Sequence, residues 1–339
     1  MSELDDWLAQ MTEVALEPDM PICDPHHHLW DRRETFVYRY LLDDFLTDIS
    51  DHNVVSTVFM ECEAFYRAKG DPAMAPVGET EFVNGVAAMA DSGLYGGTQV
   101  AAAIVGFADL RLGERSGEVL AAHVLAGGGR FRGIRHSTAH DDDDGIVGAH
   151  ATSPNKGLYY EAAFRQGFAQ LSAIDLSFDA WFYHPQIPEL VDLAQAFPET
   201  PIVMDHVGGP LGIGPYTGLR DEIFASWSKD ISALAQCPNV HVKLGGLAMK
   251  LAGFGHHKLA APPSSEVLAE AWKPYVMHCI EAFRPERCMF ESNFPVDKAS
   301  CAYTTLWNAF KRLAVGFSAG EKAALFHDTA ARFYRIGKT

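Results

Sequence analysis

Apolar residues along this chain alternate between two rhythms: short, nearly unbroken runs rich in β-branched residues, and longer stretches where they recur every three or four positions. The unbroken runs predict eight strands. They begin at Ile22 and continue at Val54–Cys62, Thr98–Phe107, Phe131–His136, Asp175–Tyr183, Pro201–His206, Val240–Gly245 and Arg287–Asn293. Helical spacing lies between them, over Leu42–His52, Glu79–Ala90, Glu114–Ala126, Tyr160–Ser172, Ile187–Phe197, Leu219–Gln236 and Ser265–Phe283. Two further helices, Ala302–Leu313 and Ala319–Tyr334, close the chain. Strands without polar alternation are buried on both faces, as in a parallel sheet covered by helices. Eight such units in 339 residues predict an α/β fold, a (β/α)8 TIM barrel forming a single domain over 1–339, with long loops after its strands and an extra C-terminal helix. A doubly wound open sheet is the alternative, but no Gly-x-Gly-x-x-Gly follows the first strand. In residues 1–20, Leu4, Trp7, Leu8, Met11 and Val14 share helical spacing and predict an amphipathic N-terminal extension.

The long connections sharpen this picture. Glu63–Gly78, Ser137–Leu158, Val207–Tyr216 and Gly246–Ser264 each follow the C-terminal end of a strand, so in a barrel they gather at one mouth. The last residues of the strands are polar: His26 and His28, Glu61, Asp109 and Arg111, Arg135 and His136, His184, His206, Lys243, Glu291 and Asn293. His26 and His28 stand two apart on an extended chain and leave it on the same side. With His184 they supply three nitrogens for a metal and leave a position open for water. Arg135, Arg111 and Lys243 suit an anionic substrate; otherwise they are structural ion pairs with neighbours such as Glu61 and Asp109. Trp30 and Tyr183 either wall the pocket or belong to the core.

Composition narrows the partners. With 27 basic and 44 acidic residues the chain carries a net charge of −17, which repels nucleic acid and anionic membranes. No apolar run reaches transmembrane length, and the N-terminus lacks a signal-peptide pattern. Six cysteines without paired spacing point to reduced thiols and a cytoplasmic setting. The Asp141–Asp144 run is expected to be a solvated loop, and His256 and His257 to be exposed.

The strings Asp-Pro-His-His-His-Leu-Trp at 24–30, Tyr-His-Pro-Gln-Ile-Pro-Glu-Leu at 183–190, Val-Met-Asp-His-Val-Gly-Gly-Pro at 203–210, Val-Lys-Leu-Gly-Gly at 242–246 and Glu-Ser-Asn-Phe-Pro-Val-Asp at 291–297 resemble the amidohydrolase superfamily. More narrowly, they are similar to the branch holding 2-pyrone-4,6-dicarboxylate lactonase and the sugar and muconolactone lactonases. The resemblance implies a distorted barrel that hydrolyses a lactone. It makes His26, His28 and His184 the metal ligands, for one divalent zinc or manganese ion or for metal-free operation, and His206 the polarising histidine. Position 293 matches the family's strand-eight acid, but this chain has Asn293 there, and a carboxamide accepts no proton near neutral pH. His206, Asp297, Glu291 or the metal site must then serve the attacking water, with Asn293 orienting water or the carbonyl. Arg135, Lys243, Glu61, Tyr183 and Trp30 are the expected substrate contacts. The expected substrate is a small carboxylated or sugar-derived lactone, and a homo-oligomer is left open. The alternatives are a metal-dependent decarboxylase and a binding barrel without catalysis.

Overall fold

The computed structural model describes residues 3–31, 38–147 and 156–337. Its eight strands are β1 (Ile22–His27), β2 (Val54–Met60), β3 (Gln99–Gly106), β4 (Phe131–Arg135), β5 (Ser177–Ala180), β6 (Ile202–Met204), β7 (Val240–Leu244) and β8 (Cys288–Phe290). They pair in parallel and in chain order. Asn293 N donates to His26 O at 2.9 Å and His28 N to Phe294 O at 2.8 Å, which brings the end of β8 back to β1 and curls the sheet into a barrel.

Helix α1 (Glu3–Leu8) precedes β1, and the main helices follow the strands: α2 (Leu42–Ile49), α3 (Val77–Met89), α4 (Ser116–Ala126), the short α5 (Asp144–Val147), α6 (Ala162–Ala173), α7 (Ile187–Ala196), α8 (Arg220–Leu234) and α9 (Ser265–Phe283). Then come α10 (Tyr303–Leu313), α11 (Ala319–Ala323) and α12 (Thr329–Phe333), the last two joined by a wider turn over Ala324–Asp328. Local chemistry sets several boundaries. Ser318 caps α11, its hydroxyl accepting from Glu321 N while Glu321 reaches back to Ser318 N at 2.8 Å.

Strand parity divides the core in two. Outward residues such as Ile134, Phe178, Ile202, Val242, Leu244, Cys288 and Phe290 pack with the helices in one large apolar body. Inward residues Cys23, Val58, Met60, Ala103, Val105, Val203 and Met289 form a second, smaller body inside the barrel, joined by Ala330 and Phe333 of α12 and by Tyr334 just after it. Polar side chains take over the inward positions at the strands' C-terminal ends, so the site rests on a packed floor.

Three expectations change. The N-terminal helix stops at Leu8, and Val14 is 89% exposed, because Asn308 captures the following backbone through Leu16 N and Val14 O at 2.8 and 3.0 Å. Strands five and eight are shorter than their apolar runs, since Trp181–Tyr183 and Glu291–Asn293 leave the ladder. His256 is buried, its ring stacked on Phe254 at 5.6 Å. All six cysteines are free and buried. Among the described residues no helix is long and apolar enough to cross a membrane.

Candidate active site

The chain turns sharply at the end of β6. His206 and Val207 have φ of 54° and 48°, and Gly208 and Gly209 continue in the same left-handed region at 75° and 56°. A β-branched residue there carries strain on the order of 1–3 kcal/mol, held by surrounding structure. Trp227 Nε1 supplies part of that hold by donating to Val207 O at 2.8 Å. The turn throws the His206 ring across the mouth, where Trp181 meets it edge-on at 4.8 Å. Gly246, at φ 68°, leaves the room: a Cβ there would lie 2.5 Å from the ring.

Glu291, just past β8, ties two histidines together. His206 donates from its backbone N at 3.0 Å and from Nδ1 at 2.7 Å to Glu291 Oε1. Glu291 Oε2 stands 2.8 Å from His26 Nδ1, in contact but without an aligned hydrogen bond. Burial pushes the Glu291 carboxyl up to about 7, against the pull of Lys243, the His206 backbone N–H and Arg135. Burial also holds His206 down to about 3, with Asp205 opposing, so its imidazole is neutral. With Nδ1 donating to Glu291, His206 Nε2 is left as a proton acceptor.

His26 and His28 do leave β1 together, with Nε2 atoms 3.2 Å apart. The network assigns the proton of His28. Met60 O only accepts, so His28 Nδ1, 2.9 Å away, carries the proton and His28 Nε2 is an acceptor. His26 has a cation at each ring nitrogen, Lys243 Nζ 3.3 Å from Nδ1 and Arg135 Nη1 3.3 Å from Nε2, with Glu291 Oε2 as an acceptor 2.8 Å from Nδ1. Burial drives His26 well below its usual range, reinforced by Lys243.

The cations are committed to carboxylates. Arg135 donates from Nε to Glu61 Oε1 at 2.7 Å and from Nη2 to Glu61 O at 2.6 Å, and its Nη1 lies 3.6 Å from Asp205. Burial works against its charge, but Glu61 and Asp205 outweigh burial and raise its pKa. Lys243, expected at the mouth, is instead fully buried between Asp179 at 2.7 Å and Asp205 at 3.0 Å. Arg111 pairs with Asp109 at 2.8 Å on the surface, the structural alternative foreseen for it.

Two donor sets could receive a divalent ion. Among the described residues, His26, Asp205 and His206 form the group whose ligand atoms lie within 4.8 Å of one another. Lys243 already brings a positive charge to Asp205 and His26 Nδ1 there. On the other side of His26, its Nε2, His28 Nε2 and Asn293 Oδ1 converge, the last two 3.3 Å apart. With the His26 proton on Nδ1, where Glu291 Oε2 waits, all three are acceptors and both imidazoles have the outer-shell partners typical of metal-bound histidine, while the Arg135 guanidinium, 3.3 Å from His26 Nε2, is the cation an ion would meet there. The residues therefore fit an ion.

The other expected site residues are placed as follows. His184 is not among the converging atoms; its Nδ1 accepts from Leu211 N at 3.3 Å and its ring meets Tyr216 edge-on at 5.3 Å. Asn293 donates to Asp297 Oδ1 at 3.0 Å. Burial holds Asp297 well above the carboxylate range despite that bond. Trp30 is fully buried behind His28, its Nε1 donating to Tyr38 O at 2.9 Å. Tyr183 is 1% exposed in an apolar cluster with Trp181, Leu211 and Met249. Asp141 accepts from Tyr216 at 2.7 Å rather than standing free. Sequence reasoning did not single out Asp179, Asp205 or Tyr334, though a lone Asp inside each apolar run, at the same parity as Arg135 and Lys243, was a usable signal.

The amidohydrolase family model matches residues 23–336. A Sinorhizobium fredii protein designated y4mH is 36% identical over 338 residues, 94% of this chain and 99% of its own. An L-fucono-1,5-lactonase of Burkholderia multivorans is 28% identical over 239 residues, covering 69% of this chain and 72% of its own. A Burkholderia multivorans amidohydrolase solved with bound zinc superposes with a TM-score of 0.70 at 23% identity, over 93% of this chain and 99% of that one. A family match running from the first strand to beyond the last helix, and a relative aligned almost end to end, place the chain by descent as well as by shape: it belongs to the amidohydrolase family.

Proposed function

We propose that this chain opens a neutral, polyhydroxylated lactone by hydrolysis. The observation that carries the reading is the Glu291 carboxyl shared between His26 and His206, which leaves His206 Nε2 as a neutral proton acceptor at the barrel mouth. In this role His206 Nε2 takes a proton from water as the water oxygen attacks the lactone carbonyl. The acyl C–O bond to the ring oxygen then breaks, and the His206 imidazolium returns the proton to that oxygen, giving a hydroxy acid. Glu291 keeps His206 in the required tautomer and stabilises its charged form, the part an orienting carboxylate plays beside a catalytic histidine. Arg135, 8% exposed and fixed by Glu61, faces negative charge developing on the carbonyl oxygen. A divalent ion held by His26, His28 and Asn293, for which we propose zinc, supplies electrophilic polarisation of the carbonyl when bound.

Two observations favour a neutral sugar lactone over a carboxylated one. Among the described residues the cations of the site, Arg135 and Lys243, are already paired with Glu61, Asp179 and Asp205. The named relative acts, by its name, on a sugar-derived 1,5-lactone.

The test is base consumption in a pH-stat on a panel of aldono-1,5-lactones and carboxylated lactones, with released carbon dioxide followed in parallel on hydroxybenzoic acids. Turnover of the neutral lactones without carbon dioxide is expected. Decarboxylation alone, or no turnover of any lactone, contradicts the reading. Elemental analysis of protein purified without chelator tests the ion, with about one zinc per chain expected.

A further inference from the structure

Helix α3 opens with an acid turned into the protein. Glu79, in its first turn, is 1% exposed. Its Oε1 accepts from Cys62 N at 3.0 Å and from Ala64 N at 2.8 Å, the two N–H groups either side of Glu63. This segment, just past β2, is strained, with φ of 60° at Glu63 and 55° at Phe65. Gly78 leaves it room, since a Cβ there would lie 2.6 Å from Phe65 O. Burial, and then the neighbouring Glu61 carboxylate, push the Glu79 carboxyl up to about 8 against the pull of the two N–H groups. A buried acid beside another acid is a costly way to hold a loop.

Cys62 N is one half of a peptide whose other half belongs to the site. The Glu61 carbonyl in the same plane accepts from Arg135 Nη2 at 2.6 Å, and the Glu61 side chain accepts from Arg135 Nε at 2.7 Å. Together the two bonds hold the planar guanidinium against rotation. A trans peptide is rigid, its N–H and C=O pointing in opposite directions, so whatever fixes the Cys62 N–H also fixes the Glu61 carbonyl. An N–H already engaged by a carboxyl oxygen makes that carbonyl a stronger acceptor as well.

We propose that Glu79 is a positioning residue: through the rigid Glu61–Cys62 peptide it aims the carbonyl that holds Arg135 Nη2, and so fixes the guanidinium that faces the reacting carbonyl. The first turn of α3 is thereby part of the site's framework. The kinetic part of this inference rests on the lactone-opening reading; the hold on Arg135 does not.

The test pairs Glu79→Leu, which fills the space without an acceptor, with Glu79→Gln, which keeps an acceptor oxygen. Turnover is measured on the best lactone of the panel, and the Arg135 side-chain nitrogens are read by NMR, where separate Nη1 and Nη2 signals mark a guanidinium that does not rotate. Glu79→Leu should lower kcat about tenfold with KM within about twofold, and its Arg135 Nη signals should merge. Glu79→Gln should keep kcat within about threefold of wild type and the Nη signals separate. A role confined to stability would lower the melting temperature and leave kcat and the Arg135 signals unmoved. Merged Nη signals in the wild type, separate ones in Glu79→Leu, or a Glu79→Gln protein as impaired as Glu79→Leu overturn the proposal. If the wild type opens no lactone, the functional reading fails and the Arg135 signals alone decide. If Glu79→Leu does not fold, Glu79→Asp, too short to reach both N–H groups, takes its place, and unchanged Arg135 signals in it overturn the proposal.

Discussion

At the base of the barrel the inward positions of β1, β2, β3 and β6 hold Cys23, Val58, Ala103 and Val203, closed off by Phe333 and Tyr334. Two or three residues further along β1 and β6, and at the ends of β4, β5, β7 and β8, the inward positions hold His26, Asp205, Arg135, Asp179, Lys243 and Glu291. The strands are shared, but their ends do different work. Connections into the base are brief, such as Ser50–Asn53 between α2 and β2, whereas several segments leaving the mouth are long. The apolar floor sets stability. The charged layer above it is tolerable only because each charge has a partner, and one of those partners, Glu291, also sets the proton position on His206.

The largest effect that separates the two layers is Glu291→Gln. A carboxamide cannot stabilise the charged form of His206, and kcat/KM on a lactone should fall roughly 10²–10⁴-fold. Calorimetry should show a melting temperature within a few degrees of wild type. Retained activity would erase the functional distinction between mouth and base. Met289→Ala probes the floor instead. It removes a fully buried side chain and should cost about 2–5 kcal/mol in urea unfolding, with kcat kept within about threefold.

Gly246→Ala sits on the boundary. The added Cβ, 2.5 Å from the His206 ring and at a positive φ, should destabilise by about 1–3 kcal/mol and also reduce kcat, a double signature neither pure layer gives. The smallest effect lies outside both, at His123 on α4. Burial holds this histidine down to about 4, bonded to Phe107 O at 2.9 Å. Its folded pKa lies below the unfolded value of about 6.5, so the unfolded state binds the proton first and stability falls as pH drops from there toward 4. Urea midpoints at pH 7 and pH 5 should differ less for His123→Gln than for wild type.

The barrel was legible because its signal is repetitive: eight apolar runs, each followed by helical spacing, leave little freedom once polar residues cluster at one end of every run. His26, His28, Arg135, His206 and Glu291 were visible for the same reason. What the sequence hid is pairwise. Asp179 and Lys243 are 64 positions apart, and Asp179 and Tyr334 are 155 apart, so nothing local marks them as partners. A buried carboxylate looks like an interruption of a strand until its cation is found. Val14 fits the helical spacing of the N-terminal segment, while the side chain that captures its backbone, Asn308, lies far along the chain on α10. Lys243 stands at a strand end in the sequence, but its depth beneath the mouth depends on Asp179 and Asp205.

The measurement that bears most directly on the account is the pH-stat rate of His206→Asn beside wild type on L-fucono-1,5-lactone, corrected for uncatalysed ring opening. The account predicts clear turnover by the wild type and a loss of at least about 10²-fold in the variant at an unchanged melting temperature. Equal rates for the two proteins would contradict it.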